Sequence, residues 1–275
     1  MKDALKALWP APLTAKFGLL VISIYVVTAL FAPALTPFGE REVVGAQYQP
    51  WGEKHLLGTD NLGRDMLTRI IYGARNTVGV ALLATVLTFL IGVIMGFLAA
   101  SVGGWLDQVL SRLIDTIMAI PILVFALMLL TVFGTSIPVL IGVIAILEST
   151  RVFRLARAVA MNIVVMDYVE VARLRGEGLW WVMRREVLPN AVAPLTAEFG
   201  LRFCFVFLFI SALSFLGLGI QPPTADWGRM VRENATLISF GDPTPLIPAA
   251  AIALLTVAVN FVVDWFLYKQ SELKE

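Results

Sequence analysis

Apolar residues in this chain gather into long blocks, at residues 17–35, 77–101, 114–133, 137–158, 197–218 and 245–268. A helix needs roughly 20 mostly apolar residues to cross the hydrocarbon core of a bilayer. The pattern therefore predicts an all-α membrane protein of about six transmembrane helices. Polar stretches separate the blocks. Residues 36–76 carry prolines, glycines and balanced charge, 160–195 is strongly charged, and 219–244 is rich in proline and glycine. The first block follows Lys2, Lys6 and Lys16 and contains Ala32-Pro33-Ala34, which loosely resembles a signal-peptide cleavage site. It is longer than a signal core of about 7–15 residues, and proline inside the site opposes cleavage. It is expected to be a retained helix. No internal repeat or low-complexity tract is visible.

Composition strengthens this expectation. Of 275 residues, 59% are hydrophobic, and the mean hydropathy is +0.83. Soluble domains run at about 45–50% apolar, so the excess points to burial in lipid. The length fits six spans and their loops and leaves no room for a further soluble domain of ordinary size. A net charge of +1 gives no argument for nucleic acid. The single cysteine, Cys204, excludes an internal disulfide and any multi-cysteine metal site. It sits in an apolar run and is expected to be an inert packed thiol.

Basic residues set the orientation. With the N-terminus cytoplasmic, the inside segments hold 13 Lys and Arg and the outside segments 7, with Arg202 near a boundary. The bias places both termini and the 160–195 segment in the cytoplasm, and the 36–76 and 219–244 loops outside.

Three segments carry candidate chemistry. In 160–195, Asp167 can start a short helix through Arg175, and Gly176 and Gly178 permit a sharp turn. A second helix then carries Leu179, Val182, Met183 and Val187 on one face, and Pro189 is expected to break it. Such a helix-turn-helix can act as a lever for a partner protein. It can equally lie on the bilayer surface, anchored by Trp180 and Trp181. In the outer loop, Thr59 or Asp60 can cap an amphipathic helix with Leu62, Met66, Leu67, Ile70 and Ile71 on one face and Arg64 and Arg69 on the other. Asp60 and Arg64 are spaced to pair. His55 with Asp60 and Asp65 is a structural loop rather than a metal site, because one histidine with two acids at such spacing is common by chance. The Gly217, Gly219, Pro222 and Pro223 run marks a helix end and a re-entering outer loop, buried in protein or lining a cavity. In the fourth block, Glu148, Ser149 and Arg151 either line a translocation path or its inner gate, or lie just beyond the point where the helix leaves the membrane.

Glu170, Ala172, Gly176 and the Leu188-Pro189 pair resemble, at the right spacing, the EAA loop of bacterial ABC importer permeases. Val171 replaces the middle alanine of that pattern, and Glu186 stands where an apolar residue is usual. His55-Leu-Leu-Gly58-Thr-Asp60-Asn-Leu-Gly63-Arg64-Asp65, then Tyr72-Gly-Ala-Arg75, is similar to the first-loop signature of the dipeptide, oligopeptide and nickel permeases of the C type. So is Ser214-Phe-Leu-Gly217-Leu-Gly219-Ile-Gln-Pro222-Pro223-Thr-Ala-Asp-Trp227-Gly. At the C-terminus, Asn260 and Asp264 match the family ending, but Val263 replaces its glycine and the usual Arg-Asp tail is absent.

This resemblance implies a type I ABC importer permease fold in a bacterial inner membrane. Its parts would be a cytoplasmic tail (1–16), a first transmembrane helix (17–35), an extracytoplasmic loop with an amphipathic helix (36–76), a permease core (77–268) and a cytoplasmic tail (269–275). Glu170 would pair with a basic residue of a partner ATPase, and Gly176 would form the turn of the coupling loop, 160–195. The implied partners are a second homologous permease, two ATP-binding subunits, an extracytoplasmic solute-binding protein and the lipid bilayer. The implied cargo is a peptide, with nickel, metal chelates or another small solute as alternatives. No Gly-x-x-x-x-Gly-Lys-Ser/Thr occurs in the chain, so ATP and Mg would be held by the partner ATPases, with no cofactor or metal here. An ion-coupled carrier often shows inverted repeats, and a membrane hydrolase needs a base within its spans. No repeat is visible, and the single histidine, His55, lies outside the spans and supplies no histidine base there; an ion-coupled carrier stands as the alternative reading.

Overall fold

The computed structural model describes residues 11–272. In chain order the helices are α1 (Leu13–Leu35), α2 (Met66–Gly73), α3 (Gly79–Val102), α4 (Gly104–Ala119), α5 (Ile122–Phe133), α6 (Ile137–Ile163), α7 (Asp167–Leu174), α8 (Leu179–Val182), α9 (Leu188–Leu216), α10 (Trp227–Asn234) and α11 (Leu246–Glu272). A π-helical turn, Ala74–Val78, joins α2 to α3, and another, Met183–Val187, joins α8 to α9. The predicted tails 1–16 and 269–275, with Lys2, Lys6 and Lys274, fall largely outside the described residues.

By length and apolarity, four helices among the described residues can cross a membrane, or five if the bent pair α4–α5 is one span. Two of the four run through the π turns, as Met66–Val102 and Leu179–Leu216. The remaining predicted span, the fourth block, is α6, which is 27 residues long but carries Glu148, Arg151, Arg154 and Arg157. Leu20, Ile24 and Leu30 on α1 and Leu83, Leu90 and Ile94 on α3 stand outward and exposed. A helix in water would bury such residues, whereas hydrocarbon solvates them.

Several boundaries differ from those expected. The 114–133 block is not one helix. Proline disfavours helical geometry in the residue before it and supplies no N–H. Ile120, before Pro121, is extended, and α4 and α5 meet at 90°. Pro189, expected to end a helix, lies inside a continuous one. The preceding π turn has already shifted the hydrogen-bond register, with Leu188 N–H donating to the carbonyl of Met183. The missing donor of Pro189 is absorbed there. The amphipathic helix expected within 36–76 begins at Met66 and continues through the π turn into the span.

The chain divides into two compact units. One comprises the residues up to Leu82, Gly134–Leu140 and those from Phe203 onward; the other comprises Leu83–Phe133 and Ile141–Arg202. In the first unit, α1 packs on α11 at Gly18, where an added Cβ would lie 2.5 Å from the carbonyl oxygen of Ala258. In the second, α3 packs on α6 through Gly92 and Gly96. A Cβ on Gly92 would lie 2.6 Å from that of Val152, and one on Gly96 would lie 2.8 Å from the carbonyl oxygen of Phe153. Small residues four apart let two helix backbones approach closely, the usual source of packing energy where lipid removes the hydrophobic drive. Around this contact Phe97, Ala156, Ala160, Val169, Val182 and Ala191 form one apolar cluster, tying α7 and α8 to the spans.

Gly92→Val therefore pushes α3 off α6. Overpacking of this kind costs about 1–3 kcal/mol, and thermal unfolding in detergent should show a clear drop in Tm. An unchanged Tm would contradict the close packing.

Candidate functional site

The segment after α6 folds as a short helix, a tight turn and a second helix. Asp167 sits in the first turn of α7, where its charge favours the positive end of the helix dipole. Gly176 has φ +82°, a left-handed geometry that a side chain would strain. The face of α7 bearing Val169 and Ala172 is buried, while the other face presents Glu170, Val171, Arg173 and Leu174. Val171 is 51% and Leu174 80% exposed. Val182, Met183 and Val187 are buried as the apolar periodicity predicted, although Leu179 is 40% exposed. Of the five residues matched to the EAA loop, Glu170, Gly176, Leu188 and Pro189 lie exposed and Ala172 is packed inside. Arg173 donates to the Ser101 carbonyl at 3.1 Å, and the Arg175 guanidinium lies 6.0 Å from the Trp181 ring.

Glu148 lies within α6, which continues to Ile163, and is 2% exposed. Its carboxylate accepts from Arg202 Nη1 at 2.8 Å, and Arg202 also bonds Glu198 one turn earlier on α9. Ser149 is buried and donates to its own helix, at the carbonyl of Ile146. Two of the three candidate path residues are thus turned inward. Only Arg151 is half-exposed, 4.0 Å from Glu148. The sequence had shown Glu148 but not its partner. Arg202 and Glu198, at helical pairing distance inside an apolar block, were the available signal. Arg154 pairs with Asp115 at 2.7 Å, and Arg157 with Asp107.

The outer signature residues come together in one buttress. Asp60 accepts from the Leu62 and Arg64 backbone N–H groups, bonds Arg64 Nε at 2.7 Å and lies 3.2 Å from Arg69 Nε. The expected Asp60–Arg64 pair is present. Both arginines, however, are buried rather than forming an outer polar face, because Asp60 draws them in. The helix cap is Asp65, not Thr59 or Asp60: its carboxylate accepts from Thr68 N–H at 2.8 Å and faces His55 Nδ1 at 3.1 Å. Gly58 and Gly63 hold positive φ, and a Cβ on either would lie within 2.3 Å of a carbonyl oxygen.

The second signature loop leans on the first. Trp227, 1% exposed, donates to the carbonyl of Ile70 at 2.9 Å, packs edge-on against Tyr25 and Phe207 and leaves room at Gly73 for no side chain. Arg64 lies 3.8 Å from Glu233. Glu40 accepts from both Asn76 and the Ala225 N–H. Gly217 has φ +95°, and Gly219 sits against Ser214, whose hydroxyl accepts from Ile220 N–H. Pro222 and Pro223 lie between them and Asp226. That residue caps α10, accepting from Arg229 N–H and the Thr77 hydroxyl, both at 2.9 Å. Complete burial pushes its carboxyl above the usual carboxylate range, against the opposing effect of these hydrogen bonds.

Residues 89–271 match the model of a family described as binding-protein-dependent transport system inner membrane component. The dipeptide transport system permease protein DppC of Alkalihalophilus pseudofirmus is 31% identical over 248 residues, covering 90% of this chain and 82% of that protein. The di/tripeptide transport system permease protein DppC of Pseudomonas aeruginosa is 35% identical over 254 residues, covering 90% and 84%. Among solved structures, the crystal structure of an amino acid ABC transporter with histidines superposes with a TM-score of 0.55 at 23% identity, covering 74% of this chain and 94% of that one. That likeness is one of fold.

Two outcomes are expected. Arg202→Met leaves the buried Glu148 and the part-buried Glu198 without their shared cation, and breaking a buried pair this way costs about 3–5 kcal/mol. Thermal unfolding in detergent should show a larger loss than for Glu148→Gln, which keeps a hydrogen-bonding group. At Asp226 the folded state favours the protonated acid, so this residue's contribution is greatest below the ordinary carboxylate range. It declines as pH rises towards the folded value. Asp226→Asn keeps a cap oxygen and should flatten that part of the stability–pH curve; an unchanged slope would contradict the burial effect.

Proposed function

The chain belongs to the binding-protein-dependent transport system inner membrane component family, transport permeases rather than enzymes, and on that premise we propose that it carries peptides as half of the pathway of an ATP-driven importer. The observation that carries the cargo is the identity to dipeptide and di/tripeptide permeases across 90% of the chain. Its multiple apolar helices sit in a bacterial inner membrane, termini in the cytoplasm. A second homologous permease completes the pathway, and a solute-binding protein delivers peptide from outside. ATP and Mg are held by two separate ATPase subunits.

The exposed face of α7 is where the ATPase docks in this proposal. Val171 and Leu174 offer it apolar area, with Glu170, Arg173 and Arg175 around them. Val169 and Ala172 anchor the same helix to the spans through the apolar cluster. Movement imposed on α7 is then passed to α3, α6 and α9 through packed side chains. ATP-driven closure of the ATPase pair would drive these helices towards an outward-facing arrangement.

Glu170→Lys and Gly176→Val test the docking. A side chain at Gly176 costs about 1–2 kcal/mol in left-handed geometry and misdirects the turn. Both variants should insert in the membrane at wild-type levels, yet retain under a tenth of the ATPase that co-purifies with the wild type. Full retention by both would remove α7 from the interface. A binding assay on the solute-binding protein encoded beside this chain should show peptide; binding of a metal chelate alone would replace the cargo.

A further inference from the structure

The bend between α4 and α5 leaves a recess of about 210 Å³, bordered by Ile117, Met118, Pro121, Phe125, Leu147 and, at its polar edge, Arg151. By residue type its lining is apolar apart from that arginine and the neighbouring Thr150, whose hydroxyl donates to its own helix at the carbonyl of Leu147. Arg154 is spent on Asp115, Arg157 on Asp107, and Arg202 on Glu148 and Glu198. Arg151 differs. Its nearest acid is Glu148 at 4.0 Å, beyond hydrogen-bonding distance, and that carboxylate is held by Arg202 at 2.8 Å. Its side chain is 41% exposed and its guanidinium keeps donors to spare.

From this we propose that the recess is a cargo subsite, in which Arg151 takes the terminal carboxylate of a passing peptide and the Ile117–Met118–Phe125 wall takes the adjoining apolar side chain; the inference rests on the peptide reading above. A guanidinium presents a planar fork of donors that matches a carboxylate in paired hydrogen bonds. Pockets that enclose a whole drug-sized ligand run to roughly 300–1,000 Å³, so this recess suits one end of an extended peptide. A half-exposed cation releases its ligand more readily than a buried one, as a transit site requires. Arg202 holds the Glu148 carboxylate at 2.8 Å, so Arg151 stands 4.0 Å from it rather than in hydrogen-bonding contact.

The test uses the intact permease–ATPase complex in nanodiscs of neutral lipid, probed with a photoleucine dipeptide carrying a free C-terminus and with its C-terminal amide. Uptake of radiolabelled Leu-Leu into proteoliposomes with the binding protein is measured in parallel. The free acid should label the recess, and both amidation and Arg151→Gln should cut labelling at least about tenfold. Arg151→Lys, which keeps the charge but not the fork, should restore labelling only in part, and Arg154→Gln should label as wild type. Co-purification of all subunits verifies assembly. Equal labelling of acid and amide, or of wild type and Arg151→Gln, while Leu-Leu is imported, would overturn the subsite and leave the peptide reading standing. Loss of labelling on adding anionic lipid would overturn it too, by assigning the recess to a headgroup. Absence of Leu-Leu uptake by the wild type would instead bring down the peptide reading, and the subsite with it.

Discussion

A polar group surrounded by hydrocarbon finds no water, so its partner must come from the protein. That constraint organises this chain. Glu148 and Glu198 would be costly inside apolar helices on their own, and Arg202 lies between them as their shared cation. Ser23, Thr28, Ser149 and Thr150 return their hydroxyls to carbonyls of their own helices. Around the ends of the spans, the same rule draws Arg64 and Arg69 onto Asp60 and Thr77 onto Asp226. Where this economy leaves a polar group with spare capacity, as at Arg151, or an apolar group uncovered outside the spans, as at Leu174, the surface has something left to bind.

The two sides of the sequence signature then play different parts. The two signature loops carry the densest run of signature residues, and several are turned inward to one another: Asp60, Asp65, Gly58, Gly63 and Trp227 hold backbone and helix ends. They form a buttress that fixes where α2 and α10 sit. The inner segment is built the other way. Its buried face is small and apolar, and its chemistry is directed outward from a turn that only glycine adopts easily.

How much of this was legible in the sequence follows from the range of each interaction. Spans could be read because a run of apolar residues is a local property. The Gly176 turn, the start of α8 and the Asp60–Arg64 pair were likewise legible, since each depends on neighbours within a few residues. The break at Ile120 was carried by Pro121 but masked by apolar residues on both sides. Pro189 misled for the converse reason, since a π turn, which has no clear sequence mark, accommodates it. The partners of Glu148, Asp107 and Asp226 lie 54, 50 and 149 residues away. No periodicity reports such distances. Arg64 and Arg69 were assigned to an exposed face because a helical wheel does not show the loop that folds back over it.

The central claim is that this chain moves peptide only when a partner spends ATP. Its most direct measurement is Leu-Leu uptake into proteoliposomes holding this chain with its partner permease, ATPases and binding protein. The wild-type complex should accumulate peptide with ATP at the ATPase face and none with a non-hydrolysable analogue. Uptake by this chain alone, driven by an ion gradient without any ATPase, would contradict the account.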